Sequence, residues 1–559
     1  MVKVLDTPPP QLSSDFFSRS FDNIATRLLS IEKRDKHHDV PENCKYIPVD
    51  AEKIILCGRH QFNERSIKEE NFCRIDWPGV YFMLCVTGAD VVYVHLAGGA
   101  NYFNVYVNGM FCRAIGSKYD ESTYLLAHDL SPDQVYVVTL VKRTEAYLRT
   151  ALTYFKPARV FGFSLFPNTA EVLPCPLPTL PNTDPSNASP CRYFEFVGDS
   201  DTCAFGVEGH MTGSNSISMD PSTCNIDRSW ARVLSRKFGA ISHTLAWSGK
   251  AISKNPNFLG KATILDMYDR QIANEPDTPS THAECPYIAT NASASSAEIK
   301  AASADAVFIL GGSNDFLLSP RPTEIEFTFD YMKLIAEVRK RHKTAYICCI
   351  VLGSTAVAGV DDGDEESKKP LIDTIRRLTR DAVDKFCELG DDKVYLIDLN
   401  DKVDLDKARD FALIMHWNAM GHWKVAAAVE RELRQITGWD PIKDENRPRQ
   451  SLTEDMFNKI DIPDICPTTI RQAWTPVRMP AIGARDTLGY ETSKPRSRWG
   501  STRRKKPSSR DRPISADNPE SMAPIPFSNQ PRSHVPHVLI QRFTRPPGDV
   551  DVSSCNKEK

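Results

Sequence analysis

The sequence predicts two folded domains, a β-sandwich followed by a three-layer α/β/α domain, and a disordered C-terminal tail. Three observations support this prediction. Short apolar runs separated by turn residues fill residues 53–167, which is typical of a β-sandwich. Apolar runs then alternate with long helical patterns as far as residue 439, as in a parallel sheet covered on both faces. Beyond residue 439 this periodicity fades.

The expected boundaries follow these changes of pattern. In chain order we expect an N-terminal extension (1–50), a β-sandwich domain (51–170), a linker (171–191), an α/β domain (192–440), a further extension (441–480) and a tail (481–559). The linker is rich in Pro, Asn and Ser and has no helical or strand periodicity. The tail is rich in Pro, Ser and Arg and has about twice as many basic as acidic residues, a composition that buries too little apolar surface to fold.

The sandwich strands are predicted from four runs in which apolar, β-branched and aromatic residues are bounded by Gly, Asn, Asp or Pro. These runs are GVYFMLCVTG, DVVYVHLAGG, YFNVYVNGMF and QVYVVTLVKRTE.

Three polar clusters of the α/β domain each follow a strand candidate directly. They are Gly198-Asp199-Ser200 after YFEFV, Gly249 in AWSGK, and Asn314 in LGGSND. Ligands bind at the carboxyl ends of parallel strands, so we expect the three clusters to meet at one sheet edge. A single cluster of this kind is more often an ordinary turn, but three at corresponding positions favour a functional site.

These residue types suit acyl transfer by a serine. A serine nucleophile needs a base within hydrogen-bond reach and donors aimed at the oxyanion, which a glycine N–H and an asparagine amide can supply. His416 precedes the last helical pattern, where it serves either as that base or as a packing or capping residue. We interpret His422 as structural. Asp199 and Asp315 are expected to fix their turns and not to act as catalytic groups.

Composition excludes several other function classes. A net charge of −3 provides no field for nucleic acid or an anionic membrane, and no apolar run is long enough to span a bilayer. The 15 cysteines lack paired spacing, and the N-terminus lacks a secretory signal, so we expect reduced thiols and a cytoplasmic location. No zinc-spaced Cys/His cluster, P-loop or dinucleotide fingerprint is present. The basic run RRKK (503–506) is interpreted as a solvated segment.

The three clusters and His416 together resemble the conserved blocks of SGNH, or GDSL-type, hydrolases. By this resemblance Ser200 is the nucleophile and His416 its base. The oxyanion-hole donors are then the Ser200 amide, the Gly249 amide and the Asn314 side chain. A longer series of motifs, from GRHQF through WPGVYFMLCVTG and NYFNVYVNG to EFVGDSDTCAFG, is similar to carbohydrate esterase family 2, in which a jelly-roll β-sandwich precedes the SGNH domain. This similarity spans roughly residues 53–439.

The resemblance implies a serine esterase that removes O-acetyl groups from carbohydrates through an acyl-enzyme, without metal or organic cofactor. Its expected partner is an acetylated carbohydrate; the acetylated polymer and the oligomeric state are left open. Many SGNH enzymes have an Asp two or three residues before the histidine, where this chain has Ile414 and Leu413. We therefore predict a Ser-His dyad in which a backbone carbonyl, and not Asp410, orients the imidazole.

Two alternatives to an active esterase remain at this point. The missing carboxylate, together with Trp417 in place of the usual Pro, is compatible with a catalytically impaired, esterase-like carbohydrate-binding protein. The basic tail is compatible with a role in assembly. Trp247, Trp417 and Trp423 flank the candidate site, where exposed rings would stack on sugars and buried rings would fill the core; for Trp423 we favour the core.

Overall fold

The computed structural model places the described residues of both predicted domains in one compact unit. The described residues are 37–63, 71–99, 101–145, 157–175, 192–209, 221–256, 260–276, 288–289, 303–317, 320–352, 365–406, 409–412 and 416–442. The predicted tail lies outside these ranges. Among the helices described, none is both long and apolar enough to cross a membrane.

The N-terminal part is built from two antiparallel sheets. Its strands are β1 (Lys45–Pro48), β2 (Ile55–Cys57), β3 (His60–Phe62), β4 (Cys73–Ile75), β5 (Tyr81–Thr87), β6 (Val91–Ala97), β7 (Tyr102–Val107), β8 (Met110–Gly116), β9 (Ser122–Ala127), β10 (Val135–Lys142), β11 (Ala158–Phe166) and β12 (Glu171–Leu173). One sheet has the order β3-β4-β11-β6-β9, with β1 beside β11. The other contains β2-β5-β10-β7-β8, with β12 beside β5.

Side chains that alternate along these strands fill the space between the sheets. Phe82 on β5, Val94 on β6 and Phe163 on β11 are fully buried in one apolar cluster. The sandwich also extends beyond its expected limits, since β1 lies within the expected N-terminal extension and β12 within the expected linker. Both strands are short and gain most of their order from pairing with a longer neighbour, so the local sequence pattern gives little sign of them.

The C-terminal part alternates strands and helices. Its elements are β13 (Tyr193–Gly198), α1 (Ser200–Cys203), α2 (Trp230–Lys237), β14 (Ile241–Ala246), α3 (Ile264–Met267), β15 (Ile288–Ala289), β16 (Ala306–Leu310), α4 (Ser313–Leu317), α5 (Glu324–Arg341), β17 (Tyr346–Val351), α6 (Glu365–Glu388), β18 (Val394–Asp398) and α7 (Ala419–Thr437). All of its strands except β15 form one parallel sheet in the order β14-β13-β16-β17-β18. The two-residue β15 pairs instead with β2 of the sandwich.

The parallel sheet is covered on both faces. Phe194 and Phe196 of β13 pack with α2 and α7, whereas Val197 faces the side on which α5 and α6 pack. The predicted three-layer α/β/α domain after a β-rich domain is therefore confirmed. The strand order reverses beside β13, and in sheets of this kind the crevice at that reversal, outside the carboxyl ends of the strands, is where ligands bind.

Buried polar contacts join the sandwich to the α/β domain. Asn104 Nδ2 and Tyr106 Oη of β7 donate to the carboxylate of Asp227, at 2.7 and 2.8 Å. Arg232 on α2 donates to the carbonyl of Gly79 at 2.6 Å. All of these side chains are almost completely shielded from solvent, so separating the domains would leave buried polar groups without partners.

A buried carboxylate cluster lies beneath the parallel sheet. Glu195 of β13 accepts a hydrogen bond from Tyr268 Oη at 2.8 Å and lies 3.3 Å from a ring nitrogen of both His243 and His342. Burial alone would raise the pKa of Glu195, but His342 and His243 hold it well below its usual range. The sandwich contributes to this cluster, because the backbone N–H of Arg59 donates to His243 Nε2 at 3.3 Å.

Candidate active site

Ser200 is the first residue of α1 and follows β13 at the carboxyl edge of the parallel sheet. The strand approaches this turn closely, since a Cβ on Gly198 would lie 2.4 Å from Thr202 Oγ1 and 2.5 Å from the carbonyl oxygen of Leu310. Asp199 caps the helix, its carboxylate accepting from the N–H of Asp201 at 3.1 Å. The nucleophile candidate is thus held on a sharp strand-to-helix turn, with 8% of its surface exposed.

Gly249 lies in the turn that follows the neighbouring strand, β14. The N–H of Trp247 donates to the carbonyl of Gly198 at 3.2 Å, which continues the strand pairing up to the edge. The chain then turns through a Trp247–Lys250 hydrogen bond of 3.2 Å, with Gly249 at a φ of 74°. This left-handed conformation favours glycine, and it places the turn directly beside the one that carries Ser200.

Asn314 on α4 links the two turns. Its Nδ2 donates to Asp199 Oδ2 at 2.9 Å and to the carbonyl of Lys250 at 3.1 Å. The three polar clusters therefore do meet at one sheet edge. Because both N–H bonds of the Asn314 amide are engaged in this state, the predicted donor reaches an oxyanion only by exchanging one of these partners.

Two backbone donors at this edge are unoccupied. Within the described ranges, neither the Ser200 N–H nor the Gly249 N–H makes a hydrogen bond. Unpaired N–H groups on adjacent turns are the arrangement that binds a developing oxyanion.

His416 is half-buried and lies beside the segment that follows Ser200. Its imidazole packs edge-on against the ring of Phe205, with 5.0 Å between the ring centroids. The Phe205 N–H in turn donates to the Ser200 carbonyl at 3.1 Å. The loop is closed by an Ala412 N–H bond of 2.6 Å to the His416 carbonyl; residues 413–415 lie outside the described ranges.

Asp410 is turned toward α7. Its Oδ2 lies 2.6 Å from Lys424 Nζ and accepts from the Asp406 N–H, also at 2.6 Å. The carboxylate is almost fully buried and already has two strong donors.

The structure gives His422 a packing role, as predicted. The side chain is buried, and its Nδ1 accepts a hydrogen bond from the N–H of Trp230 at 3.2 Å. Burial, and after it repulsion from His416, lowers the pKa of His422 to about 3. A neutral ring is therefore part of the fold.

Asp199 fixes the nucleophile turn, as predicted, whereas Asp315 holds the loop that follows the Gly249 turn, which is a different segment from the turn expected from the sequence. Asp315 accepts from the N–H groups of residues 252, 253 and 254, at 2.7 to 3.0 Å. Burial raises its pKa to about 7, and these three hydrogen bonds oppose that rise. Burial, followed by repulsion from Asp201, also raises the pKa of Asp199 well above its ordinary value.

The three flanking tryptophans belong to the core. Trp417 is fully buried, Trp247 is 5% exposed and Trp423 is partly buried against the α2–α7 side of the sheet. Trp417 and Trp247 are too deeply buried to offer a ring face to a sugar, and the partly buried Trp423 packs against the core, as favoured from the sequence.

One residue that the sequence did not single out reaches this edge from the sandwich. Glu145, three residues after β10, accepts hydrogen bonds from Ser248 and Cys203, which belong to the two turns. No local motif marks it, because its partners are more than 50 residues away in the chain. Among the described residues, no group of three or more His, Cys, Asp or Glu could hold a metal ion.

Comparisons with known proteins agree with this arrangement. Residues 196–424 match the GDSL-like Lipase/Acylhydrolase family, and residues 58–160 match the carbohydrate esterase 2 N-terminal domain. The cellulase/esterase CelE of Acetivibrio thermocellus is 25% identical over 386 residues, which cover 69% of this chain and 40% of CelE. The chain thus spans less than half the length of that relative.

Solved structures share the fold. A family two carbohydrate esterase from Clostridium thermocellum in complex with cellohexaose is 22% identical, with a TM-score of 0.54 over 69% of this chain and 99% of that chain. A family two carbohydrate esterase from Cellvibrio japonicus is 17% identical, with a TM-score of 0.52 over 71% and 98% of the two chains. At these identities the likeness concerns the fold alone. The two family models thus match successive segments of this chain, the carbohydrate esterase 2 N-terminal domain over residues 58–160 and the GDSL-like lipase/acylhydrolase family over residues 196–424.

Proposed function

We propose that this protein is a serine esterase that removes O-acetyl groups from carbohydrates through a Ser200-His416 dyad and an acyl-enzyme. The observation that carries the proposal is the meeting of three segments at the reversal point of the parallel sheet. Ser200 and Gly249 present backbone N–H groups there that have no hydrogen-bond partner among the described residues, and Asn314 links their turns. A simple structural turn requires neither feature.

In the first half of the reaction, Ser200 Oγ attacks the acetyl carbonyl carbon and His416 takes the hydroxyl proton. The negative charge that develops on the carbonyl oxygen is stabilised by the N–H groups of Ser200 and Gly249. Collapse of the tetrahedral intermediate expels the sugar oxygen, which receives the proton from His416. Water, deprotonated by His416, then attacks the acetyl-enzyme and releases acetate.

Asn314 would join the oxyanion hole by exchanging a partner. Its bond to the Lys250 carbonyl is a neutral hydrogen bond, whereas an oxyanion is a charged and therefore stronger acceptor. The remaining bond to Asp199 would keep the amide plane oriented during the exchange. The Asn314 amide would then bind the transition state more strongly than the substrate, because the neutral ester carbonyl of the substrate competes less well with the Lys250 carbonyl for this donor.

The dyad is supported by the environment of Asp410. Its carboxylate is bound by Lys424 and by the Asp406 N–H, so it already has partners on the side of α7. Because Asp410 is engaged elsewhere, we assign a backbone carbonyl as the acceptor of the hydrogen bond from His416 Nδ1–H.

The carbohydrate substrate is proposed from the relatives. CelE is described as a cellulase/esterase, and the similarly folded Clostridium thermocellum structure is a family two carbohydrate esterase in complex with cellohexaose. An acetylated carbohydrate contains both an ester bond that an esterase can cleave and a saccharide of the kind that the related structure binds, so we propose this substrate class.

The test uses the full chain with a chromogenic acetate and with acetylated oligosaccharides, measuring released acetate. We expect turnover by the wild type, none by Ser200→Ala, and fluorophosphonate labelling only where Ser200 is present. Ser235→Ala is the matched control, since this buried hydroxyl only bonds a carbonyl within α2. Equal activity of wild type and Ser200→Ala would refute the assignment.

A second candidate is a carbohydrate-binding protein that retains the esterase scaffold without turnover. The two hydrogen bonds of the Asn314 amide favour this candidate. If Nδ2 kept both partners permanently, it could not donate to an oxyanion and would be lost to catalysis. Saccharide binding without acetate release and without fluorophosphonate labelling would support this candidate against the esterase.

A further inference from the structure

Glu145 places a buried carboxylate of the sandwich between the two catalytic turns of the other domain. Its Oε2 accepts from the Ser248 N–H at 2.5 Å, and its Oε1 accepts from the Ser248 hydroxyl at 2.7 Å. The Cys203 thiol donates to Oε2 at 3.2 Å. The residue is only 2% exposed, so water does not compete for these contacts.

Both partners of Glu145 are neighbours of reacting groups. Ser248 directly precedes Gly249, so a bond to its N–H fixes the peptide plane next to the one that carries the Gly249 donor. Cys203 lies on α1 with Ser200, and its thiol also points to the Ser200 carbonyl at 3.6 Å. Cys203 Sγ and Ser248 Oγ are 3.5 Å apart, so a single carboxylate holds the two turns together.

The segment that carries Glu145 is itself anchored. Lys142 Nζ donates to the carbonyls of Thr144 at 2.5 Å and of Glu145 at 3.1 Å, and Lys142 is completely buried. Arg143 Nε donates to the carbonyl of Cys224 at 2.7 Å. The carboxylate is therefore presented by a segment that is anchored by hydrogen bonds just after β10, which is the support that an accurately placed site requires.

Burial raises the pKa of Glu145, and its hydrogen bonds to Ser248 and Cys203 act in the opposite direction. The Ser248 and Cys203 donors thus favour the charged form of the carboxylate. In that form Glu145 accepts all three hydrogen bonds, two from Ser248 and one from Cys203.

We propose that Glu145 is a positioning residue for hydrolysis, setting the distance between the Ser200 turn and the Gly249 oxyanion donor. The sandwich domain is then part of the catalytic apparatus through Glu145, whose carboxylate bonds Ser248 and Cys203 beside the reacting groups. This inference rests on the proposed esterase function.

The experiment compares Glu145→Ala, Glu145→Gln and Asn104→Ala in the full chain. Asn104 is the matched control, because it is an equally buried sandwich residue whose Nδ2 donates to Asn225 and Asp227 of the α/β domain, at 3.0 and 2.7 Å, and not to Ser248 or Cys203. For each folded variant, kcat and KM are measured with a chromogenic acetate, together with the rate of Ser200 labelling by a fluorophosphonate and the free energy of unfolding in urea.

We expect Glu145→Ala to lower kcat about 10- to 100-fold with little change in KM, because misplacing catalytic groups by about 1 Å has effects of that size. Glu145→Gln keeps one acceptor and should recover part of the loss, and labelling rates should follow kcat. Asn104→Ala should lose stability but keep kcat. If Glu145 were only a structural contact, Glu145→Ala and Asn104→Ala would have the same effect on kcat. A loss of kcat in Glu145→Ala alone therefore distinguishes a positioning role from a structural one.

Wild-type kcat and labelling in both Glu145 variants would overturn the positioning role while leaving the esterase intact. An equal loss of kcat in Asn104→Ala would also overturn it, since any weakened domain contact would then suffice. A wild type that neither turns over nor reacts with the probe would instead refute the esterase function. If Glu145→Ala does not fold, the isosteric Glu145→Gln carries the comparison alone, with unchanged kcat counting against the proposal.

Discussion

Replacing Asp410 by Asn separates a Ser-His dyad from a triad. The substitution keeps the size of the side chain and one acceptor oxygen but removes the charge that faces Lys424 Nζ at 2.6 Å. In a triad this carboxylate would stabilise the imidazolium of His416. In the dyad it only ties the loop to α7.

The expected magnitudes differ widely. Breaking a fully buried ion pair costs about 3–5 kcal/mol, but the Lys424 side chain is 23% exposed and keeps a 2.7 Å bond to the Asp404 carbonyl. We therefore expect Asp410→Asn to lower the free energy of unfolding by about 1–3 kcal/mol. Turnover should stay within about threefold of wild type, which corresponds to less than about 1 kcal/mol in the barrier.

The assay measures kcat on a chromogenic acetate and unfolding in urea for Asp410→Asn, His416→Ala and Lys424→Met. His416→Ala should abolish turnover as fully as Ser200→Ala. Lys424→Met breaks the same ion pair from its other side, so it should lose stability and keep kcat.

A drop of about 10⁴ in kcat for Asp410→Asn, with the fold intact, would refute the dyad, because that is the loss in a serine protease whose orienting carboxylate is neutralised. Retained turnover in His416→Ala would refute the base assignment itself.

Three further predictions concern the neighbouring residues. For Asn314→Ala we expect a loss of about 10²–10³ in kcat if the amide joins the oxyanion hole; full turnover would remove it from the mechanism. Gly249→Ala forces a side chain into a left-handed conformation at φ 74° and should lower kcat at least about tenfold with little change in KM, whereas a change confined to KM would argue against an oxyanion donor there. The folded-state pKa of His422, about 3, lies below its unfolded value of about 6.5, so its contribution to stability is complete above pH 6.5 and is lost as the pH falls toward 3. This contribution falls by about 2 kcal/mol on going from pH 7 to pH 5, and His422→Gln should lose correspondingly less stability over that interval in urea unfolding; equal losses in the two proteins would contradict the assignment.

The features predicted from the sequence are those that depend on local pattern. Alternating apolar residues predicted β5, β6 and β10, and the runs followed by polar clusters predicted the strand ends that carry Ser200, Gly249 and Asn314. Parallel pairing brings such ends together whatever the intervening sequence, so the meeting of the three clusters could be predicted as well.

The features that the sequence did not predict depend on contacts between distant segments. The carboxylate of Glu145 is recognisable only once the sandwich is docked beside Ser248, and β15 is visible only as a partner of β2. The two hydrogen bonds of the Asn314 amide are also invisible to pattern, because motif spacing indicates which residue is present but not where its donors point. Such contacts form only when segments that are distant in the sequence pack against one another.

The order of the two domains along the chain affects how the site is assembled during synthesis. Domains generally fold in order from the N-terminus at a synthesis rate of about 5–20 residues per second, and β1–β12 end at residue 173, before Ser200 leaves the ribosome. All sandwich strands except β15, together with Glu145 and Asn104, have therefore been synthesised before the α/β domain emerges. We therefore expect the turns around Ser200 and Ser248 to close on partners in the sandwich that have already been synthesised.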